Sequence, residues 1–495
     1  MRGKAVVFFF LWIGVIAASA EVSPVNCSDL ALWVSSGVSS SRLTQVVSDR
    51  GITFAVTTKV EGSLAQAGAN PALLQTLRQH AGAKADCLAD LLQAARFIHD
   101  KQFKSSEHAL RAQLSANDSS AAAHFALGTV LVGMDEIDGA YDEFTASKRL
   151  MPSMAETHAR LAYVLFRQDD SDNAIAEART ALSMDPQSGE AYRYLGLALG
   201  ADGQYAAAVH AYEESLARDP ESADTYYDLG ITQAQRGDPR AAMRAYRKAI
   251  AINPRLWQAH NNLGMLFHDM HQLDGAISAY QEAKRLAPAE ATVRNNLGNT
   301  YCDAGKYELA ISEYAELFRM QPDWPHGHAC MARALMAKRD YQAAIPELHL
   351  AVQENPTGSA EHRVLGQALL AVNRSAEALR ELRLAVALGP DSALAHHYLG
   401  TALLENDELE AAAREFREAV RLEPTAGNHY YLAGSLARLS RYDEALSELD
   451  VAIHLSPSQK SYREMRETLL KIKGATRPVS IPSDFHPDEG TTLRK

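Results

Sequence analysis

Prolines constrain what this chain can fold into more than any other feature. Pro152, Pro186, Pro220, Pro254, Pro288, Pro322, Pro356, Pro390 and Pro424 stand 34 residues apart, and Pro457 follows after 33. Numbering each repeat so that this proline is position 32 gives repeats that begin at 121, 155, 189, 223, 257, 291, 325, 359, 393 and 426. Position 20 is alanine in all ten, from Ala140 to Ala445. Position 8 is glycine in seven, with Ala162, Ala332 and Ala433 in the others, and position 7 is leucine everywhere but Met331. Position 24 is large and apolar (Phe144, Tyr212, Tyr246, Tyr280, Tyr314, Phe416 and similar) except at Ala178.

These positions follow helical spacing. Positions 4, 7, 8 and 11 share one face of a first helix, helix A, and positions 17, 20, 24 and 27 share one face of a second, helix B. Small residues at 8 and 20 let the pair approach, and large ones at 7 and 24 fill the space beside the crossing. Proline at 32 ends helix B, because it lacks an N–H and disfavours helix in the residue before it. One pair cannot bury its own faces, so pairs must stack.

In these residues the chain resembles the tetratricopeptide-repeat (TPR) family, whose helix–turn–helix unit has this period. The resemblance covers roughly 87 to 459 and implies an all-α fold, a right-handed superhelical solenoid. Residues 87–120 fit the frame as a worn repeat, with Ala94 at position 8, Phe97 at 11, Phe103 at 17, Ser106 at 20, Leu110 at 24 and Asp118 in place of the proline, so about eleven units are expected. A capping helix is expected over 460–473, presenting Tyr462, Met465, Leu469 and Ile472 to the last repeat. Residues 21–84 are expected to form a small module of about four short helices, with Ile52 to Val56 as its one strand-like run.

The ends of the chain suggest export. Arg2 and Lys4 precede an apolar run from Ala5 to Ala18, and Ala18-Ser19-Ala20 supplies small residues for cleavage before Glu21, so 1–20 is expected to be a signal peptide. The alternative is an uncleaved anchor, for which the run is short. Residues 474–495 are expected to be disordered. The expected location is periplasmic or extracellular, with no membrane insertion after cleavage. The net charge is −12, and −14 without the first twenty residues, which disfavours nucleic acid and anionic membranes as partners. Four cysteines and no C-x-x-C exclude a zinc ribbon. Export permits a disulfide, expected between Cys27 and Cys87, with Cys302 and Cys330 as the competing pair.

Histidine stands at position 4 in seven repeats: His124, His158, His260, His328, His362, His396 and His429. One per repeat spaces them about 10 Å apart along the stack, whereas zinc needs its ligands within about 2 Å of one point. A packing role is therefore expected, and no metal or other cofactor. Signatures of hydrolases, phosphate loops and calcium loops are absent, so the chain is expected not to be an enzyme.

Binding residues are expected at helix A positions 2, 5, 6, 9, 12 and 13, which face away from helix B and line the concave side. There the repeats from 223 to 291 offer Asp224, Tyr227, Asp228, Gln258, Asn261, Asn262, Asn295, Asn296, Asn299 and Asp303, with almost no basic residue between them. Asn262 and Asn296, just before Leu-Gly, resemble asparagines of the TPR region of O-linked N-acetylglucosamine transferase, which hydrogen-bond a bound polypeptide's backbone; an amide both donates and accepts. Tyr194, Asp228, Cys330, Val364 and Tyr398 interrupt the ladder. The basic pattern that clamps a C-terminal carboxylate is missing, since Asn295, Cys330, Ala360 and Val364 occupy its slots. The stretch suits an extended, neutral-to-basic segment, and Tyr398, Tyr430 and Tyr431 form a more aromatic patch for apolar anchors. The chain is thus expected to be a protein- or peptide-binding scaffold. The alternatives are a self-associating structural protein and a non-catalytic subunit of a transferase or hydrolase. Proline at 346, inside helix B of its repeat, is expected to bend that helix.

Overall fold

The computed structural model describes residues 24–80, 89–116 and 118–474. The expected signal peptide, the tail and Cys87 lie outside these residues. Among the described residues every regular element is a helix. The chain divides into two compact units at Pro254 and Arg255.

The first unit opens with four short helices: α1 (Cys27–Ser35), α2 (Ser40–Arg50), α3 (Thr58–Gln66) and α4 (Pro71–Gln79). Each starts at a side-chain cap. Asn26, Ser39, Thr57 and Asn70 accept from Asp29, Arg42, Val60 and Leu73 N–H groups, which would otherwise lack partners. The run Ile52 to Val56 forms no strand. Ile52 makes one isolated parallel bridge to Val25, and Thr57 already caps α3, leaving no length for a ladder. Cys27 is disulfide-bonded.

Helices α5 (Ala89–His99) and α6 (Phe103–Ala116) form the worn pair, followed by α7 (Ala121–Gly133) and α8 (Ile137–Leu150). From here every B helix spans positions 17–30 and stops before the proline. The turn between A and B has a constant signature at position 15, a residue with positive φ. Glycine supplies it at 203, 237 and 305, but Lys101, Asp135, Asp169, His271, Arg339, Asn373, Asp407 and Ser440 adopt it too.

Helix A and helix B meet where expected, and the contact is direct. A Cβ on Gly230 would lie 2.4 Å from the Tyr246 ring, on Gly298 2.9 Å from Tyr314, and on Gly400 2.8 Å from Phe416. Where position 24 is aromatic, its ring therefore packs directly against glycine 8. Where position 8 is alanine, position 24 is smaller: Ala178, Leu348 and Leu449.

The amino-terminal module packs on the A helices of the first pairs. Helix α1 crosses α5 and α7, and α3 meets α5. Leu30, Leu32 and Trp33 share one core with Leu91, Ala95 and Ile98 of α5 and with Ala122, Phe125 and Ala126 of α7. Those six occupy positions expected to line the concave side, yet all are buried. At the edge of the module Ser120 Oγ donates to Asp29 Oδ1 (3.1 Å), Arg42 Nε pairs with Glu156 (3.2 Å) and Arg160 Nη2 donates to the Ser36 carbonyl (3.4 Å).

The second unit continues the pairs from Trp257–Asp269 to Tyr442–Leu455. The repeat at 325 has a shortened helix A, Gly327–Ala337, entered through His326 at φ +56°. Its helix B, Tyr341–Glu354, runs on through Pro346. Helix Lys460–Gly474 closes the stack, with Tyr462, Met465 and Leu469 buried. No helix among the described residues is long and apolar enough to cross a membrane.

Candidate functional site

The position-4 histidines do structural work with a fixed geometry. In six repeats Nδ1 lies 2.5 to 2.7 Å from the glutamate at position 23 of the same repeat: His124–Glu143, His158–Glu177, His328–Glu347, His362–Glu381, His396–Glu415 and His429–Glu448. On the other side, Nε2 of His158, His362 and His396 faces the carbonyl of the preceding repeat's proline, at 2.9 to 3.1 Å, and His124 faces Asp118. The rings of His124, His158, His362 and His396 thus tie helix A to its own helix B and to the repeat before, and those of His328 and His429 tie helix A to its own helix B. Arg294 replaces the histidine and makes both bonds, to Glu313 and to the Pro288 carbonyl. The repeats at 189, 223 and 257 carry alanine at position 23. Among the described residues no group of three or more His, Cys, Asp or Glu is placed to hold a metal.

Bonding to Glu143 and Glu177 raises the pKa of His124 and His158 above 6.5. A histidine raised by folding stabilises most below its unfolded value and gives that contribution up as pH rises through the folded one. Glu177 is itself lowered overall: burial pushes it up, but the bonds from His158 and Lys148 outweigh that, so its contribution is lost only in acid. The expected result is a first-unit melting temperature that falls as pH is raised from about 6 to about 9. His124→Gln with His158→Gln should flatten that slope, as measured by melting across the range; an unchanged slope would remove the histidines as its cause.

In the first unit the expected concave residues are already paired. Arg160 lies 3.1 Å from Glu190, and Arg193 Nε donates to Asp228 at 2.6 Å while its Nη1 lies 3.4 Å from Asp224. Burial raises the Asp228 pKa, with Arg193 pulling the other way. Asp224 and Asp228 therefore share one arginine, which belongs to the repeat before theirs. Tyr227 packs on Tyr246, ring centroids 6.0 Å apart.

In the second unit the amides divide into engaged and open ones. Asn296 Nδ2 donates to Asn261 Oδ1 (3.2 Å), and Asn261 Nδ2 donates to Asn262 Oδ1 (3.3 Å), a directional chain across two A helices. Asn299 Oδ1 accepts from Tyr314 (2.8 Å) and Arg333 (3.1 Å). Asp303 faces His268 at 2.8 Å and Arg333 at 3.6 Å. Gln258 and Asn295 are half-buried, and neither amide bonds another of the described residues.

The aromatic patch has a centre that sequence spacing did not single out. His397 stacks edge-on against Tyr398, Phe416 and Tyr431, centroids 5.4, 5.7 and 4.6 Å away, and its Nδ1 meets Asn428 at 2.9 Å. Burial lowers its pKa and keeps it neutral. Tyr430 packs on Tyr462 of the capping helix at 4.7 Å. Beside this cluster an apolar cleft opens between Leu404, Tyr431, Gly434, Met465 and Ile472. Cys302 and Cys330 are free thiols, raised by burial.

A family model described as tetratricopeptide repeat matches residues 159–223, 195–256, 227–291, 295–360, 331–393, 363–427 and 399–460. Among solved structures, MamA residues 41 to the end from Desulfovibrio magneticus RS-1 is 19% identical, covering 34% of this chain and 95% of that one, with a TM-score of 0.33. The TPR protein TTC0263 of Thermus thermophilus is 22% identical over 37% of this chain and all of its own, with a TM-score of 0.31. The Cut9–Hcn1 hetero-tetramer is 13% identical over 78% and 90%, with a TM-score of 0.40. No curated protein matches the chain.

Proposed function

Because that model matches more than half of its residues, the chain belongs to the tetratricopeptide-repeat family, and we propose that it is an exported, non-catalytic scaffold that holds extended protein segments along its A helices. The observation that carries the reading is the line of half-buried amides at Gln258, Asn262, Asn295 and Asn296 on two neighbouring A helices. Amides in that arrangement suit a polypeptide backbone, since each both donates and accepts. A disulfide at Cys27 fits an oxidising compartment and hence export, with Cys87 as its proposed partner.

Gln258 and Asn295 give the cleanest test, because neither amide bonds another of the described residues. Asn262 and Asn296, the pair that the transferase resemblance singles out, are poorer probes: both hold Asn261 in place. With a partner recovered by crosslinking in the exported fraction, Gln258→Ala with Asn295→Ala should weaken binding by about 1–3 kcal/mol and leave the melting temperature nearly unchanged. Unweakened binding would take this surface out of the function. Light scattering addresses self-association; a stable oligomer in solution would favour a structural role instead.

A further inference from the structure

Among the described residues, the A-helix arginines of this chain come with carboxylates, with one exception. Arg160 reaches Glu190, Arg193 reaches Asp228, Arg333 reaches Asp303 and Arg438 reaches Asp407. Arg363, at position 5 of helix Ser359–Ala371, makes no hydrogen bond or ion pair with any described residue, although it is half-buried. Its charge bears on the Tyr398 hydroxyl of the next A helix. Tyr398 in turn meets His397, His397 meets Tyr431, and Tyr431 lines the apolar cleft under the capping helix. One unpaired cation and one apolar cleft are thus joined across three A helices by a run of touching rings, Tyr398, His397 and Tyr431.

We infer that this surface binds a polypeptide segment carrying an acidic side chain at Arg363 and an apolar or aromatic side chain in the cleft. The inference rests on the scaffold reading, and it reverses the charge expected from the acidic run, whose carboxylates already face Arg193 and Arg333. A partner carboxylate completes the pairing that Arg363 lacks, and a half-buried guanidinium favours it more than a fully solvated one does. The spacing is also set. Neighbouring A helices pack directly, at about 10 Å per step, so two steps span about 20 Å, or about six residues of extended chain.

Panning a phage-displayed library of random peptides of about twelve residues on the full-length protein tests this. Enriched peptides should pair Asp or Glu with a large apolar residue about six positions away. Arg363→Gln should weaken the best of them about tenfold or more while leaving its acid-to-alanine counterpart unchanged. Gly434→Trp, which fills the cleft, should abolish the apolar preference and keep the acidic one. Peptides enriched without an acidic residue, or bound equally by Arg363→Gln, would overturn the inference and leave the scaffold reading standing. No enrichment at all would overturn both.

Discussion

Phe125→Ala is expected to destabilise the first unit by about 3–5 kcal/mol, the cost of removing a large ring from a sealed core. Asn295→Ala, at the same position of its own repeat, should stay within about 0.5 kcal/mol. In a bare array of helix pairs, position 5 borders solvent, and Asn295 is half-buried there. Phe125 is fully buried, edge-on to Phe144 at 5.5 Å and in one core with Leu30 and Trp33 of the module. The contrast therefore measures how firmly the module seals the first A helices. Hydrogen exchange in 89–150 alongside thermal melting would locate the loss. Equal, small effects at both positions would mean that α1 does not rest on α7.

Tyr314→Ala should cost a similar amount, about 3–5 kcal/mol, and Tyr314→Phe only about 0.5–1.5. The ring is fully buried and lies on Gly298, so its removal opens a cavity between helices whose backbones are held by their own hydrogen bonds. The hydroxyl donates one bond, to Asn299, which keeps Arg333 as a donor when the hydroxyl is gone. Melting of the two variants separates ring from hydroxyl. If the phenylalanine variant is as unstable as the alanine one, the stability of this crossing lies in its polar contact, and the packing logic of positions 8 and 24 fails there.

The helix pairs were legible because their signal repeats: each packing position is seen ten times, so one Met331 or Ala178 does not blur it. Position 15 escaped notice for the opposite reason. Its demand is on φ, and residues as unlike as Lys101, Asp135, His271 and Ser440 meet it. The histidine–glutamate pairing is present in the sequence as a constant spacing of nineteen residues, and the expected packing role of the histidines did not extend to that partner. Docking of the module also left a trace. Leu91, Leu92, Ala122, Phe125 and Ala126 are apolar at positions 2, 5 and 6, where later repeats place Asp224, Gln258, Asn261, Asn262, Asn295 or Asn296. The candidate site was the least legible part, because side chains such as Arg193 and Arg333 act on the repeat next to their own, and a frame drawn repeat by repeat does not contain those pairs.

The histidine clamp has a consequence for how such an array changes over generations. Its two side chains belong to one repeat, and what it takes from the repeat before is a main-chain carbonyl, which any repeat supplies. The clamp itself therefore strands no buried charge when a repeat is duplicated, deleted or moved. The pairs along the A helices lack that freedom: separating Arg193 from Asp228 leaves a buried carboxylate alone, at a cost of about 3–5 kcal/mol. Clamps therefore set no barrier to the insertion or loss of whole repeats, whereas charges shared between neighbouring A helices do.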